Sequence, residues 1–260
     1  MQRILFYIIL SSICSNTLAG LRTPNTTWEL GGFVGSSYYL GELNTNHFLP
    51  ANLAFGPRLR YNYDERISFK TSFSQGKIQG NDAFSKNSFK LDRNFNFSSI
   101  INELAFTGEF NFLPYSPIYK KSAISTPFLF LGLAYAHHNP KTNLDGDIIN
   151  TQDLNIEDEK YSKSIFSIPF GVGLKMASNQ LSFELTWGIR KTYSDYLDDV
   201  STNYKDNSSI PRPDNIVNYT QYETLDNVKR GDQYTKDWYI FSGLSIMWSL
   251  TKEEICRDFK

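Results

Sequence analysis

Three groups of side chains in this 260-residue sequence have types and spacing that could do chemistry. The first is His137-His138, with His47 the remaining histidine. Two adjacent imidazoles suggest a metal-ligand pair or a general base, and a lipid hydrolase needs a His beside a Ser or an acid on a lipid-facing surface. Neighbouring residues on a strand point to opposite faces, so the two rings cannot readily chelate one ion. The plainer reading is a pair of rim histidines. The second group is an acidic run, Asp145-Gly146-Asp147 with Asp153, Glu157, Asp158 and Glu159. It lacks the full spacing of a calcium loop and reads as solvated charge. The third is Arg190-Lys191 followed by Asp195, Asp198 and Asp199, within a stretch denser than a spacer needs. Pairing of Arg190 or Lys191 with these carboxylates would order a long loop. Local capping of that loop and partner binding are the alternative readings.

Arg230-Gly231-Asp232 spells a short adhesion tripeptide and reads equally as a turn before the last strand. The sequence holds no Gly-rich phosphate loop and no Cys-rich zinc pattern. The expectation is therefore no catalytic residue, no cofactor and no metal.

The elements that position these groups are strands. From Trp28 to Leu250, eight stretches of roughly 10 to 14 residues alternate apolar and polar side chains, as a half-lipid, half-lumen strand must. The second is the cleanest: Leu53, Phe55, Leu59, Tyr61 and Tyr63 face one way, and Arg58, Arg60 and Asn62 the other. The fifth, Phe128 to His137, is apolar on both faces, with the small residues Gly132, Ala134 and Ala136 on one side. Arg58, Arg60, Lys70, Glu103, Glu109, Glu184 and Arg190 all fall on polar faces. Both signs occur, which predicts a packed, salt-bridged interior and no open pore, because eight strands enclose only enough space for their own side chains.

Linkers alternate in length. Turns near 62–66 and 176–180 and a longer link at 113–126 lie on the side of both termini; loops at 39–50, 77–99, 139–163 and 194–235 lie on the other. Outer-membrane barrels keep short turns in the periplasm and long loops outside. The prediction is an all-β chain: an eight-stranded antiparallel transmembrane β-barrel with long extracellular loops and a short periplasmic C-terminal tail. A soluble sandwich or lipocalin-like barrel would show the same alternation with the faces reversed.

Composition sets the bounds. Net charge is −1, which gives no footprint for nucleic acid, and aromatics reach 15%, as in strands with aromatic girdles. Residues 1–19 read as a signal peptide: Arg3, an apolar run from Ile4 to Leu10, and Thr17-Leu18-Ala19 as the cleavage site. Ile13 before Cys14 is bulky where lipoprotein processing wants a small residue. The domain reading is 1–19 signal peptide, 20–250 barrel and 251–260 periplasmic tail. The mature chain keeps one cysteine, Cys256, in the tail TKEEICRDFK; a lone exported cysteine suggests intermolecular pairing or a free thiol.

Several blocks carry a family resemblance. Glu29-Leu30-Gly31-Gly32 followed by Tyr39-Leu40-Gly41-Glu42-Leu43-Asn44, then Glu109-Phe110-Asn111-Phe112-Leu113-Pro114-Tyr115, Ser167-Ile168-Pro169-Phe170-Gly171, Arg190-Lys191-Thr192-Tyr193 with Asp195-Tyr196-Leu197-Asp198-Asp199-Val200, and Asp237-Trp238-Tyr239 resemble the PorG-like outer-membrane barrels of the type IX secretion system of Bacteroidota. The 190–200 block is the most specific of these. The resemblance implies a non-enzymatic barrel in the outer membrane, both termini periplasmic, attached to a periplasmic ring lipoprotein and its associated secretion subunits. It implies a role in protein export and, in relatives, gliding. Cys256 lies where the family's tail cysteine lies, which implies a disulfide to the ring lipoprotein. Outer-membrane lipid is a partner; nucleic acid and a small-molecule substrate are not expected. The competing reading is a generic surface barrel serving adhesion or envelope stability.

Overall fold

The computed structural model describes residues 26–118, 125–144, 146–178, 180–205 and 229–251. The signal segment and the tail with Cys256 lie outside the described residues. Eight strands form the wall: β1 (Thr27–Leu40), β2 (Asn52–Asn62), β3 (Ile67–Asn81), β4 (Asn96–Asn111), β5 (Ser125–His137), β8 (Ser164–Ser178), β9 (Leu181–Thr192) and β10 (Trp238–Ser249). Every neighbouring pair is antiparallel, β1 pairs with β10, and β3 pairs with β4 to close the ring. The barrel has the predicted strand number.

Side-chain polarity decides what surrounds it. Leu53, Leu133, Phe106, Leu131 and Phe166 point outward and are 49–70% exposed alongside Phe55. Glu29, Arg60, Glu103 and Lys175 point inward and are 0% exposed. A soluble sandwich or lipocalin has the reverse arrangement. Some two dozen large apolar side chains turned outward around a closed barrel have a solvent only in lipid, and a closed ring leaves no strand edge unpaired there. This is the architecture of an outer-membrane barrel. Among the described residues no helix is long and apolar enough to cross a membrane.

Tight turns join β2 to β3 and β8 to β9 at one end, which they share with the 112–124 link between β4 and β5; the loops 41–51, 82–95, 138–163 and 193–237 gather at the other. One of them, predicted at 77–99, is shorter than its sequence suggests. β3 runs on to Asn81 and β4 begins at Asn96. In these extensions the polarity rule inverts: Ile78, Phe97 and Ile101 turn inward and are buried, while Lys77, Gln79 and Asn96 turn outward. That inversion is expected where a strand leaves lipid for water, and it conceals the strand from a pattern built on lipid-facing apolar residues. In the 138–163 loop a hairpin of β6 (Lys141–Leu144) and β7 (Asp147–Asn150) attaches to β4 through Ser98 and Lys141.

The inverted strand ends build a water-side hydrophobic core. Tyr39, Leu43, Ile78, Phe95, Phe97, Ile101, Leu197, Val200, Tyr239 and Phe241 pack together at the long-loop end. Leu197 and Val200, both 0% exposed, come from the 193–237 loop, so that loop is seated on the barrel mouth.

Candidate functional site

Two polar assemblies occupy the axis of the barrel, one in the lumen and one at the long-loop mouth.

The lumen assembly begins with period-two strands that turn charges inward. Arg60 on β2 reaches Glu109 on β4 at 3.0 Å and Glu29 on β1 at 3.4 Å, and it also pairs with Glu184 on β9. Lys70 on β3 pairs with Glu109 at 2.6 Å and Glu184 at 2.7 Å. Lys175 on β8 pairs with Glu109 at 2.6 Å. Three cations thus meet three carboxylates across opposite walls. A layer nearer the mouth holds Arg190 in a two-point bond to Glu103, 3.0 and 3.2 Å, with the Tyr239 hydroxyl donating to the same carboxylate at 2.8 Å. The two-faced apolarity of β5 finds its use here. Phe128 lies 4.4 Å from the Lys175 ammonium, and Phe128 and Phe130 both lie 5.6 Å from that of Lys70. Gly188 faces Phe130 so closely that a Cβ would sit 2.6 Å from the ring, so β9 needs glycine at that point. These side chains are 0–8% exposed, and a charge so buried requires such pairing.

The mouth assembly is a cap in which all four long loops converge. Arg230 is its hub. Its guanidinium pairs with Glu157 at 2.8 Å and Asp199 at 3.4 Å, and lies 4.8 Å from the centre of the Phe95 ring. Glu157 also accepts the backbone N–H groups of Ser201 and Thr202. Arg93 grips Asp82 with two bonds of 2.6 and 2.8 Å and donates to the Arg230 carbonyl at 2.6 Å. Asp199 holds a left-handed backbone, φ 70°, and accepts the Tyr161 hydroxyl at 2.6 Å. Such a conformation is tolerated by Asp and persists where surrounding contacts over-determine it.

Beside the hub, three carboxylates share little positive charge. Tyr39 Oη contacts Asp198 and lies 2.8 Å from Asp237 Oδ1. A phenol has one hydrogen, so it can donate to only one of them; the other carboxyl must supply its own proton. Burial, opposed by the bonds from Tyr39 and Val200, pushes the Asp198 carboxyl up to about 7. Burial and the neighbouring Asp198 and Glu42 charges hold Asp237 well above the usual carboxylate range. Burial followed by the Asp198 charge raises Glu42 to about 8. One oxygen from each of Glu42, Asp198 and Asp237 lies within 4.8 Å of the others, a spacing and all-oxygen donor set that a hard divalent cation also accepts.

The sequence-predicted residues distribute unevenly. Asp195, Asp198 and Asp199 are buried in the cap at 0–5% exposure. Arg190 is not their partner: β9 turns it into the lumen, where Glu103 takes it. Lys191 turns outward, 5.9 Å from the Trp238 ring centre. The loop is ordered instead by Arg230, Tyr39 and Ser201, whose hydroxyl donates to Asp195 at 2.7 Å. Arg230-Gly231-Asp232 is no adhesion tripeptide in this fold: Arg230 is 2% exposed, and a Cβ on Gly231 would lie 2.8 Å from the Ser201 backbone. Glu157 leaves the acidic run and becomes a buried ion-pair partner. His137 and His138 diverge as adjacent strand residues do. His138 is buried and stacks on Tyr161, and burial lowers it to about 4. His137 is exposed, with Ser164 Oγ 3.4 Å from Nδ1. That distance is beyond a good hydrogen bond, and among the described residues no carboxylate pairs with this imidazole to orient it as a base. Tyr39, Glu42 and Asp237 carry no spacing that marks them as a site in the sequence; they fall within the 39–44 and 237–239 stretches that bear the family resemblance.

Comparisons follow the fold. Ail of Yersinia pestis, solved with the heparin analogue sucrose octasulfate, is similar at 10% identity and TM-score 0.40, over 86% of this chain and 97% of that one. The N-terminal β-barrel domain of Pseudomonas aeruginosa OprF is similar at 9% identity and TM-score 0.40, over 87% and 98%. Neisserial surface protein A matches at 11% identity and TM-score 0.36, over 86% and 96%. No curated protein matches in sequence. Residues 2–257 match the family described as "Domain of unknown function (DUF6089)", and with that span the chain belongs to the DUF6089 family.

Proposed function

We propose that this chain is a sealed, non-enzymatic outer-membrane barrel that anchors the periplasmic ring complex of the type IX secretion system. In this role it supports protein export and, where the host glides, gliding. The observation that carries the reading is the lumen. Arg60, Lys70, Lys175, Glu29, Glu109 and Glu184 tie opposite walls together with almost no exposure, so the barrel's work is positional: it conducts no cargo. The resemblance in the 190–200 block supports the specific machine. The short-turn end with both termini faces the periplasm, and Cys256 forms a disulfide with the ring lipoprotein.

Affinity purification of the full chain from detergent-solubilised membranes tests the anchor. The ring lipoprotein and its partner subunits are expected to co-purify at constant ratio. Recovery of the barrel without any periplasmic lipoprotein contradicts it.

A second reading, a surface barrel acting through its outer face, draws on the four-loop cap, which is more ordered than an idle rim requires. Normal secretion in a strain lacking the chain favours it.

A further inference from the structure

Tyr38 on β1 lies on the same face as the lipid-facing Trp28, Leu30 and Val34, yet it is 0% exposed. Its cover is the 41–51 loop, which turns back over the outside of the wall. The Phe48 ring centre is 5.5 Å from that of Tyr38, and His47 stands edge-on at 6.4 Å. From the other side, Trp187 on β9 donates its indole N–H to the Tyr38 hydroxyl at 3.1 Å. The loop is therefore fastened to the outer wall of the barrel.

Asn44 builds its turn. The side-chain amide donates to the Tyr39 carbonyl at 2.7 Å and the Leu49 carbonyl at 2.8 Å, and Asn44 Oδ1 accepts the Asn46 N–H at 3.0 Å. Phe48 holds a left-handed backbone, φ 67°, which is rare for a bulky residue and persists only where its surroundings fix it. The result is an apolar tip, with Phe48 58% and Leu49 68% exposed. The tip continues the lipid-facing wall: Leu53, 67% exposed, opens the outward row of β2, and the register sets it opposite Ser36 on β1.

Three observations identify what covers this tip. No Asp, Glu, Lys or Arg occurs between Glu42 and Arg58, whereas the 82–95 loop carries Asp82, Lys86, Lys90, Asp92 and Arg93. A loop in water tolerates charge; one in lipid excludes it and must satisfy its backbone internally, as Asn44 does here. The height is that of a membrane interface. Trp238 is the cross-strand partner of Leu40, and Lys191 lies 5.9 Å from the Trp238 ring, a pairing of aromatic body and snorkelling cation found at headgroup level. The patch is also small. Two exposed side chains fall far short of the roughly 800 Å² per partner that a stable protein contact buries.

We propose that the 46–50 turn dips into the outer leaflet, with Phe48 and Leu49 among the acyl chains just beneath the headgroups. The same loop carries Glu42, which accepts the Asp232 N–H at 2.5 Å, and its carbonyl accepts from Lys90. The turn thereby ties the cap to the bilayer surface.

The test is spin-label accessibility in liposomes of phosphatidylethanolamine and phosphatidylglycerol. The full chain carries Cys14→Ser and Cys256→Ser, and a nitroxide is placed through Leu49→Cys. Leu131→Cys, 62% exposed on β5, gives the lipid value, and Ile148→Cys, 71% exposed on β7, the water value. The Leu49 side chain makes no hydrogen bond, and heat-modifiable gel migration confirms a folded barrel in each variant. The ratio of oxygen to nickel-chelate collisions at position 49 should exceed that at 148 by at least about threefold, moving toward the value at 131. A ratio equal to that at 148 places the tip in water and overturns the proposal. Low collision rates with both reagents overturn it as well, because protein, from this chain or a second copy, then covers the tip.

Discussion

Tyr39 on β1 and Asp237 before β10 sit 198 positions apart in sequence, yet their oxygens are 2.8 Å apart at the barrel mouth, with Asp198 on the same phenol. One hydroxyl hydrogen between two carboxylates means that the folded cap holds an extra proton. Asp198, Asp237 and Glu42 all titrate above their unfolded values of about 3.8 to 4.5. Groups raised in this way favour the fold fully below the unfolded value, and that contribution is lost as pH rises through the folded one. Cap stability should therefore fall between about pH 4 and 8. Hydrogen exchange over residues 195–200, corrected for intrinsic rates, should be faster at pH 9 than at pH 6, and Asp198→Asn should flatten the dependence. Equal protection at both values contradicts the shared proton.

Arg230 should matter more to the cap than to the barrel. Arg230→Ala strands Glu157 and Asp199 in a buried site and releases the 193–237 loop from Phe95. Limited proteolysis should cut that loop at least tenfold faster, while heat-modifiable migration shows an intact barrel. Unchanged cleavage would mean that the hydrophobic seat of Leu197 and Val200 suffices alone.

The pattern of what was legible follows from solvent. Within the bilayer, the alternation of Leu53, Phe55 and Leu59 against Arg58 and Arg60 states which residue faces lipid, and the structure agrees. Beyond it, Ile78, Phe97 and Ile101 obey the opposite rule, so the strand ends read as loop. Closeness in sequence pairs Arg190 with the aspartates at 195, 198 and 199. Its partner Glu103 lies across the lumen, a relation that only closure of the ring creates. Tyr39 and Asp237 fail to stand out for the same reason: neither has chemistry until strands β1 and β10 are paired.

The lumen network should be a stability element. Arg60→Met leaves Glu109 and Glu184 to Lys70 and Lys175, and leaves Glu29 with the Asn62 amide and the Ser182 hydroxyl. Removing one partner from a buried ion-pair network costs about 3–5 kcal/mol. Urea unfolding in liposomes should show a loss of that order. A loss below about 1 kcal/mol, the range of an exposed pair, would mean that water reaches these charges in the folded barrel.

His137→Ala and Ser164→Ala should leave the lipid profile of whole membranes unchanged, since among the described residues no carboxylate pairs with the imidazole. A changed acyl or headgroup distribution in either variant would restore the hydrolase reading.

Cys256→Ser should abolish a higher-mass, reductant-sensitive band containing this chain on non-reducing gels. Persistence of that band in the variant rules out Cys256 as the link.

The proposed service of a sealed barrel to a secretion machine is tested most directly by deleting the gene and comparing secreted with periplasmic protein by mass spectrometry. Proteins sharing a C-terminal sorting domain should accumulate in the periplasm while other exports are normal. An unchanged secretome would contradict it and leave the chain a surface or structural barrel.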